Sequence, residues 1–211
     1  MTAHLSMNTV IHAAVRRDLA RFTTALAAFP IGSTQRAADL NRAWQNLDHQ
    51  LHHDHEGEET IFWPALLAVG ADESLVSDLD GEHRQMADAM ASVRTAMAAL
   101  ATDPEAANLA AAKSAFSELS DVVETHFSHE EQTLEPMMAR VRDTPELKRA
   151  AQAIRKTMTP RQAGDNLAWL ADGADPDARA LLRREIPAPV LFIFSRLMGR
   201  SYRRQIASVW A

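Results

Sequence analysis

Apolar side chains recur between residues 12 and 137 at intervals of three and four, the spacing of one face of an α-helix. One stripe runs His12, Val15, Leu19, Phe22, Leu26 and Phe29. A second runs Leu40, Trp44, Leu47, Leu51, positions 54/55, Glu58, Ile61/Phe62 and Ala65/Leu66. The third reads Leu75, Leu79, His83, Met86, Met90, Val93, Met97 and Leu100, and the fourth Phe116, Leu119, Val122/Val123, His126, Glu130, Thr133/Leu134 and Met137. Breaks at Phe29-Pro30-Ile31-Gly32 and Val69-Gly70-Ala71, and a cap residue before proline at Asp103-Pro104-Glu105, bound four long helices over 8–28, 35–68, 72–100 and 104–142. The same cap-and-proline signature recurs at Thr144-Pro145, Thr159-Pro160 and Asp175-Pro176. Short connections make neighbouring helices antiparallel. The pattern predicts an all-α fold: an antiparallel up-down four-helix bundle over residues 1–143, then a C-terminal extension of short helices over 144–211 packing on it.

Composition supports this and removes alternatives. Alanine, leucine and methionine abound, only seven of 211 residues are glycine, and runs of β-branched residues are missing. With no glycine-rich loop, phosphate loops and dinucleotide fingerprints have no support. There is no cysteine, which excludes disulfides, zinc ribbons, iron–sulfur clusters and thiolate catalysis. Any metal must therefore be held by nitrogen and oxygen. The opening MTAHLSMNTV has no charged-then-apolar leader pattern, and no run approaches the ~20 apolar residues of a membrane span. A cytoplasmic protein with no membrane span is expected.

The net charge of −6 conceals an asymmetry. Seven arginines and one acid, Glu185, lie from Ala178 onward, so the rest of the chain is strongly acidic. Such a body is a poor partner for nucleic acid. The basic tail leaves room for a protein partner or an anionic surface.

Each of the four stripes carries ligand-type residues within an apolar series. One histidine on such a face is ordinarily a hydrogen-bonded core residue. Four stripes interrupted together are different, because burying several unpaired imidazoles and carboxylates costs several kcal/mol each. A bound cation would neutralise them. His126 and Glu130 stand one helical turn apart on one face. Glu130 precedes Pro136 by six residues and Glu58 precedes Pro64 by six, which pairs Asp54 with Glu58 in the second helix. With His12 and His83 the candidate metal ligands are His12, Asp54, Glu58, His83, His126 and Glu130. Imidazole with carboxylate suits iron or manganese, and two carboxylates on different helices can each bridge two metals. Two non-haem iron ions, oxo- or hydroxo-bridged, are the expected cofactor, with manganese or zinc fitting less well.

The order His12, Asp54-x-x-x-Glu58 before Ile-Phe-Trp-Pro, Glu82-His83, then His126-x-x-x-Glu130-Glu131 before Leu-Glu-Pro resembles the hemerythrin-like (HHE cation-binding) domain over about residues 8–142. Length and basic tail are similar to the actinobacterial branch of that family. The resemblance implies a di-iron protein that binds or decomposes hydrogen peroxide, nitric oxide or dioxygen, with catalase-like or peroxidase-like activity and a role in oxidative or nitrosative stress defence. The alternative is a non-catalytic redox or gas sensor, or an iron-binding module. Two departures matter. Asp54 stands where the family has histidine, with His55 as the alternative three residues before Glu58; register favours Asp54. Ala87 occupies the position at which oxygen-carrying hemerythrins place another histidine, and fewer ligands favour turnover over reversible oxygen carriage.

Glu59 and Glu131, one residue past ligand positions, are candidate hydrogen-bond acceptors behind the ligands. His49, His52, His53 and His129 fall off the inward faces, and His4 lies in the terminal segment. The only tyrosine, Tyr202, is in the tail, which argues against a tyrosyl radical beside the metals. Pro187-Ala188-Pro189 forces an extended joint before Val190-Leu191-Phe192-Ile193-Phe194, an apolar run expected to be buried as the extension folds back over the bundle and shields the site.

Overall fold

A computed structural model describes residues 6–210, the side chain of Ser195 excepted; His4 lies outside the described residues. The chain is all-α, with no strand among the described residues. Four helices form the bundle: α1 (Met7–Ala27), α2 (Thr34–Gly57), α4 (Glu73–Thr102) and α5 (Ala106–Val141). A five-residue π turn, Glu58–Phe62, and the short α3 (Trp63–Ala68) continue the line of α2. The extension holds α6 (Pro145–Arg155), α7 (Pro160–Ala171), α8 (Pro176–Glu185), α9 (Ala188–Phe192) with a second π turn at Ile193–Met198, and α10 (Arg200–Gln205), ending in a 3₁₀ turn.

Local chemistry sets most boundaries. Ser6 caps α1 through a reciprocal pair with Thr9, and Ser33 and Asp72 cap α2 and α4. Thr144, Thr159 and Asp175 cap α6, α7 and α8, each followed by proline at the first helical position. Asp103-Pro104 departs from this pattern. Asp103 ends α4 in an extended conformation, Glu105 is the residue before α5, and the Pro104 carbonyl accepts from Gly32 N–H at 2.9 Å. That proline ties two loops together instead of opening a helix.

The predicted stripes are the core. His12, Val15, Leu19, Phe22, Leu26 and Phe29 are all buried, as are Leu79, His83, Met86, Met90, Val93, Met97 and Leu100. The second stripe changes phase at the π turn, whose extra residue rotates the chain so that Trp63 and Leu66 are buried while Ile61 and Phe62 are half-buried.

The bundle is not evenly closed. Helices α4 and α5 pack along their length, whereas α1 and α2 touch at few points. The extension fills that gap. Trp169, Leu170, Leu181, Leu182, Tyr202, Ile206 and Val209 join the same hydrophobic cluster as the bundle stripes. Trp210 meets Phe22 edge-on with ring centres 5.0 Å apart. A buried polar anchor holds the contact: Asp18 accepts from Trp169 Nε1 at 2.8 Å and from Arg17 and Arg21, while Asp172 accepts from Arg21 and the Tyr202 hydroxyl. At the other end, α6 lies on α3 and the first π turn, where a Cβ on Gly57 would come within 3.1 Å of Ile154.

The apolar run 190–194 departs from expectation. Val190, Phe192 and Ile193 are exposed, with Leu197 and Met198 beyond them. The segment lies on α7 by its opposite side, where Leu191 and Phe194 are half-buried, so one face of a short helix is left uncovered.

Candidate metal centre

His12, His55, Glu58, His83, His126 and Glu130 are all buried, on helices of five turns or more and on the π turn that follows α2. Their depth follows from the stripes, since each lies in phase with the leucines, valines and methionines flanking it. Ser6 at the cap of α1 also donates to Glu135 on α5 at 2.7 Å, which sets the register between these helices.

Three imidazoles share one arrangement. His12 Nδ1 lies 2.9 Å from Glu131, His83 Nδ1 2.9 Å from Glu59, and His126 Nδ1 2.9 Å from Glu82. Each carboxylate comes from a neighbouring element and sits one residue from an inward-facing side chain: Glu131 after Glu130, Glu59 after Glu58, Glu82 before His83. A carboxylate at Nδ1 accepts the hydrogen bond of the ring N–H and so leaves the Nε2 lone pair free. Those Nε2 atoms converge: His83 and His126 meet at 3.1 Å, His12 lies 3.2 Å from Glu130 Oε2, and His83 lies 3.4 Å from Glu58 Oε2. The ligand atoms of His55, His83 and His126 all lie within 4.8 Å of one another, as do those of Glu58, His126 and Glu130.

Ring stacking limits movement of these groups. His83 is sandwiched between His55 (4.1 Å) and Trp63 (4.6 Å), and His12 stacks on Phe127 at 3.7 Å.

The hemerythrin HHE cation-binding domain model matches residues 9–138 and, in a second overlapping registration, residues 75–184. The chain belongs to that family. No curated protein and no solved structure is significantly similar to it.

Membership in the HHE family makes the buried His/Glu cluster the candidate cation site, and the donor set fits a metal. His12 Nε2, His55 Nε2, Glu58 Oε2 and Glu130 Oε1 are buried without a hydrogen-bond partner, and the 3.2 Å approach of His12 to Glu130 lacks hydrogen-bond geometry. Such atoms cost about 1–3 kcal/mol each, more if charged, unless something coordinates them. The 3.1 Å contact between His83 Nε2 and His126 Nε2 holds either a proton on one of the two nitrogens or a cation that both coordinate. All these atoms are nitrogen or carboxylate oxygen, a set that suits iron, manganese or zinc.

Proton affinities show the same crowding. Burial, then the Glu130 and Asp54 charges, holds Glu58 well above the ordinary carboxylate range. Burial pushes Asp54 up to about 7 against the pull of His12. For His12 burial acts downward, but the adjacent Glu130 and Glu131 carboxylates outweigh it and raise the imidazole to about 9. Burial and the neighbouring imidazoles push His55 well down. Hydrogen bonding to His12 holds Glu131 at about 2.

The second helix presents both its candidates in unequal ways. His55 is buried in the imidazole cluster, three residues before Glu58. Asp54 is half-buried, belongs to neither set of mutually close donor atoms, and acts electrostatically on His12 and Glu130. The equal spacing from Glu58 to Pro64 and from Glu130 to Pro136 does not give equal geometry. Residues 58–62 wind as a π turn, whereas α5 runs through Pro136 as α-helix.

Other parts of the site were not legible beforehand. Glu82 also accepts from His129 Nδ1 at 2.8 Å, so one carboxylate orients two rings. Asn8 donates to Glu130 at 3.1 Å from one turn before His12. Glu135 is a further buried carboxylate, which burial raises. Adjacency of Glu82 to His83 was the only available signal. His49 and His52 are exposed, and His53 lies against Thr157 at 3.0 Å.

Proposed function

We propose that this HHE domain holds two iron ions and binds or decomposes a small oxidant, with hydrogen peroxide first and nitric oxide or dioxygen as competitors. The observation supporting this most directly is the set of buried, unpartnered Nε2 and carboxylate atoms from α1, α2 with its π turn, and α5, gathered beside His83 and His126. We assign His12, His55, His83 and His126 as imidazole ligands, Glu58 and Glu130 as bridging or chelating carboxylates, and Asp54 as a carboxylate on the His12 side. Together these keep the sequence-predicted set and add His55. Bound iron would supply Lewis acidity and one-electron redox capacity.

The protein's own contribution is positioning and exclusion. Glu59, Glu82 and Glu131 hold the rings in the tautomer that directs Nε2 inward. Phe127 and Trp63 cover two of those rings and limit water. Residues 1–143 are read as the cation-binding bundle and 144–211 as the extension completing its α1–α2 wall. A cytoplasmic role in peroxide or nitric oxide defence accords with this assignment.

Metal quantification with an optical spectrum of the aerobically purified protein, before and after peroxide, tests the reading. Two irons per chain with an oxo-bridged absorption that changes on peroxide addition are expected. Stoichiometric ligand binding without turnover would instead make the protein a sensor or iron-binding module. Glu58→Ala and His126→Ala should each abolish loading, and full loading in both would overturn the ligand assignment.

A further inference from the structure

The exposed face of α9 and the following π turn is independent of the metal centre. Val190, Phe192, Ile193, Leu197 and Met198 are the exposed large apolar residues here, from 36% for Met198 to 61% for Phe192. On most soluble domains such residues are scattered singly; here five fall within nine positions.

They are presented by a fixed support. Gly164 on α7 lets the segment approach so closely that a Cβ there would stand 2.4 Å from Met198 Cβ. Beyond the π turn, the Tyr202 amide donates to Asp165 at 3.0 Å and the buried Tyr202 ring is tied to Asp172. Docking on α7 therefore turns this apolar face outward.

Charge decides what covers it. Arg196 and Arg200 lie within and just beyond the apolar segment and Arg183 precedes it on α8; all three are exposed and make no ion pair among the described residues. Glu185, the one acid in residues 178–210, is paired with Arg184, and Asp165 on α7 is occupied by the Tyr202 amide. Charge argues against a second copy as the occupant, because self-apposition would bring unpaired arginines together. A short apolar face rimmed by cations, outside the acidic body, matches an anionic lipid surface, where aromatic and aliphatic side chains enter the headgroup boundary and arginines meet phosphates.

We propose that residues 188–200 form a docking site for an anionic lipid surface, with Phe192, Ile193 and Leu197 entering the boundary region and Arg183, Arg196 and Arg200 contacting phosphates.

The test is co-sedimentation of the full-length, as-purified protein with vesicles of phosphatidylcholine alone or with about one quarter phosphatidylglycerol. Binding is expected only to the anionic vesicles, weakened by salt, and lowered about fivefold by each of Arg196→Gln and Arg200→Gln. Phe192→Ser with Ile193→Ser should lower it at least about tenfold. These residues are exposed, so helical content and metal load should stay unchanged. Equal binding to both vesicle types, no binding to either, or a concentration-dependent dimer abolished by the double serine variant would overturn the proposal.

Discussion

Glu82 offers the sharpest test of how the imidazoles are aimed. Its two oxygens accept from His126 Nδ1 at 2.9 Å and His129 Nδ1 at 2.8 Å, and its side chain is only 20% exposed. Glu82→Gln keeps the shape, removes the charge, and allows only one of those bonds to keep an oxygen acceptor. With its NH₂ on His126, the amide would favour the tautomer whose proton sits on Nε2, the atom directed at the cluster; with its NH₂ on His129, it would lose the charge that supports His126. Carboxylates behind ligating histidines contribute about 10–100-fold in metal affinity, or about 1.4–2.8 kcal/mol. Because the change leaves the apolar stripes untouched, stability of the cation-free protein should move by less than about 1 kcal/mol. Competition for iron or a spectroscopic surrogate against a chelator of known affinity measures the effect. Glu124→Gln is the control: it removes a carboxylate that pairs with Arg16 on an exposed surface and touches no ring. Equal affinity for wild type, Glu82→Gln and Glu124→Gln would refute the orienting role.

Further outcomes follow from the same geometry. Trp169→Ala removes a buried indole and the donor to Asp18 Oδ2, so the urea midpoint should fall by an amount equivalent to about 3–5 kcal/mol; a loss under about 1 kcal/mol would mean that the extension does not support the bundle. Gly164→Ala places a methyl 2.4 Å from Met198 Cβ and should cost about 1–3 kcal/mol while loosening residues 193–199, seen as faster proteolysis there with unchanged metal content. Cation affinity should rise with pH. His12 at about 9 and Asp54 at about 7 hold protons near neutrality that a cation must displace, and the upward shift of Glu58 acts in the same direction. Calorimetry in buffers of different ionisation enthalpy should show proton release, and a pH-independent affinity with none would contradict these pKa directions. Asp172, for which burial acts upward but is outweighed by the hydrogen bonds of Arg21 and Tyr202, is held below the ordinary carboxylate value. Its contribution is therefore present above the unfolded pKa and lost as pH falls through the folded one, so attachment of the extension should weaken in acid.

Local rules carried much of the fold. Helix capping at Thr144, Thr159 and Asp175 was readable because a cap is a contact between residues three apart. The inward faces of α1, α4 and α5 were readable because helical period alone brings His12, His83, His126 and Glu130 into phase with the core. Where a second influence competed, the reading slipped. Asp103-Pro104 resembles a helix start, yet Asp103 ends α4 and Pro104 bonds to the Gly32 loop. The matched proline spacings favour Asp54, whereas His55, one turn after Leu51 on the same face of α2, takes the deeper place.

What the linear chain determined by itself was helix identity, the apolar faces and the chemical type of the buried donors, because each depends on residues within about two turns. Tertiary structure alone decided the rest: that Glu131 meets His12 across 119 residues, that the extension fills the α1–α2 gap, and that residues 190–198 present their apolar face outward. Each of these is a contact between separate elements, and such contacts depend on how helices are turned and spaced in the packed core, which no short window of sequence encodes.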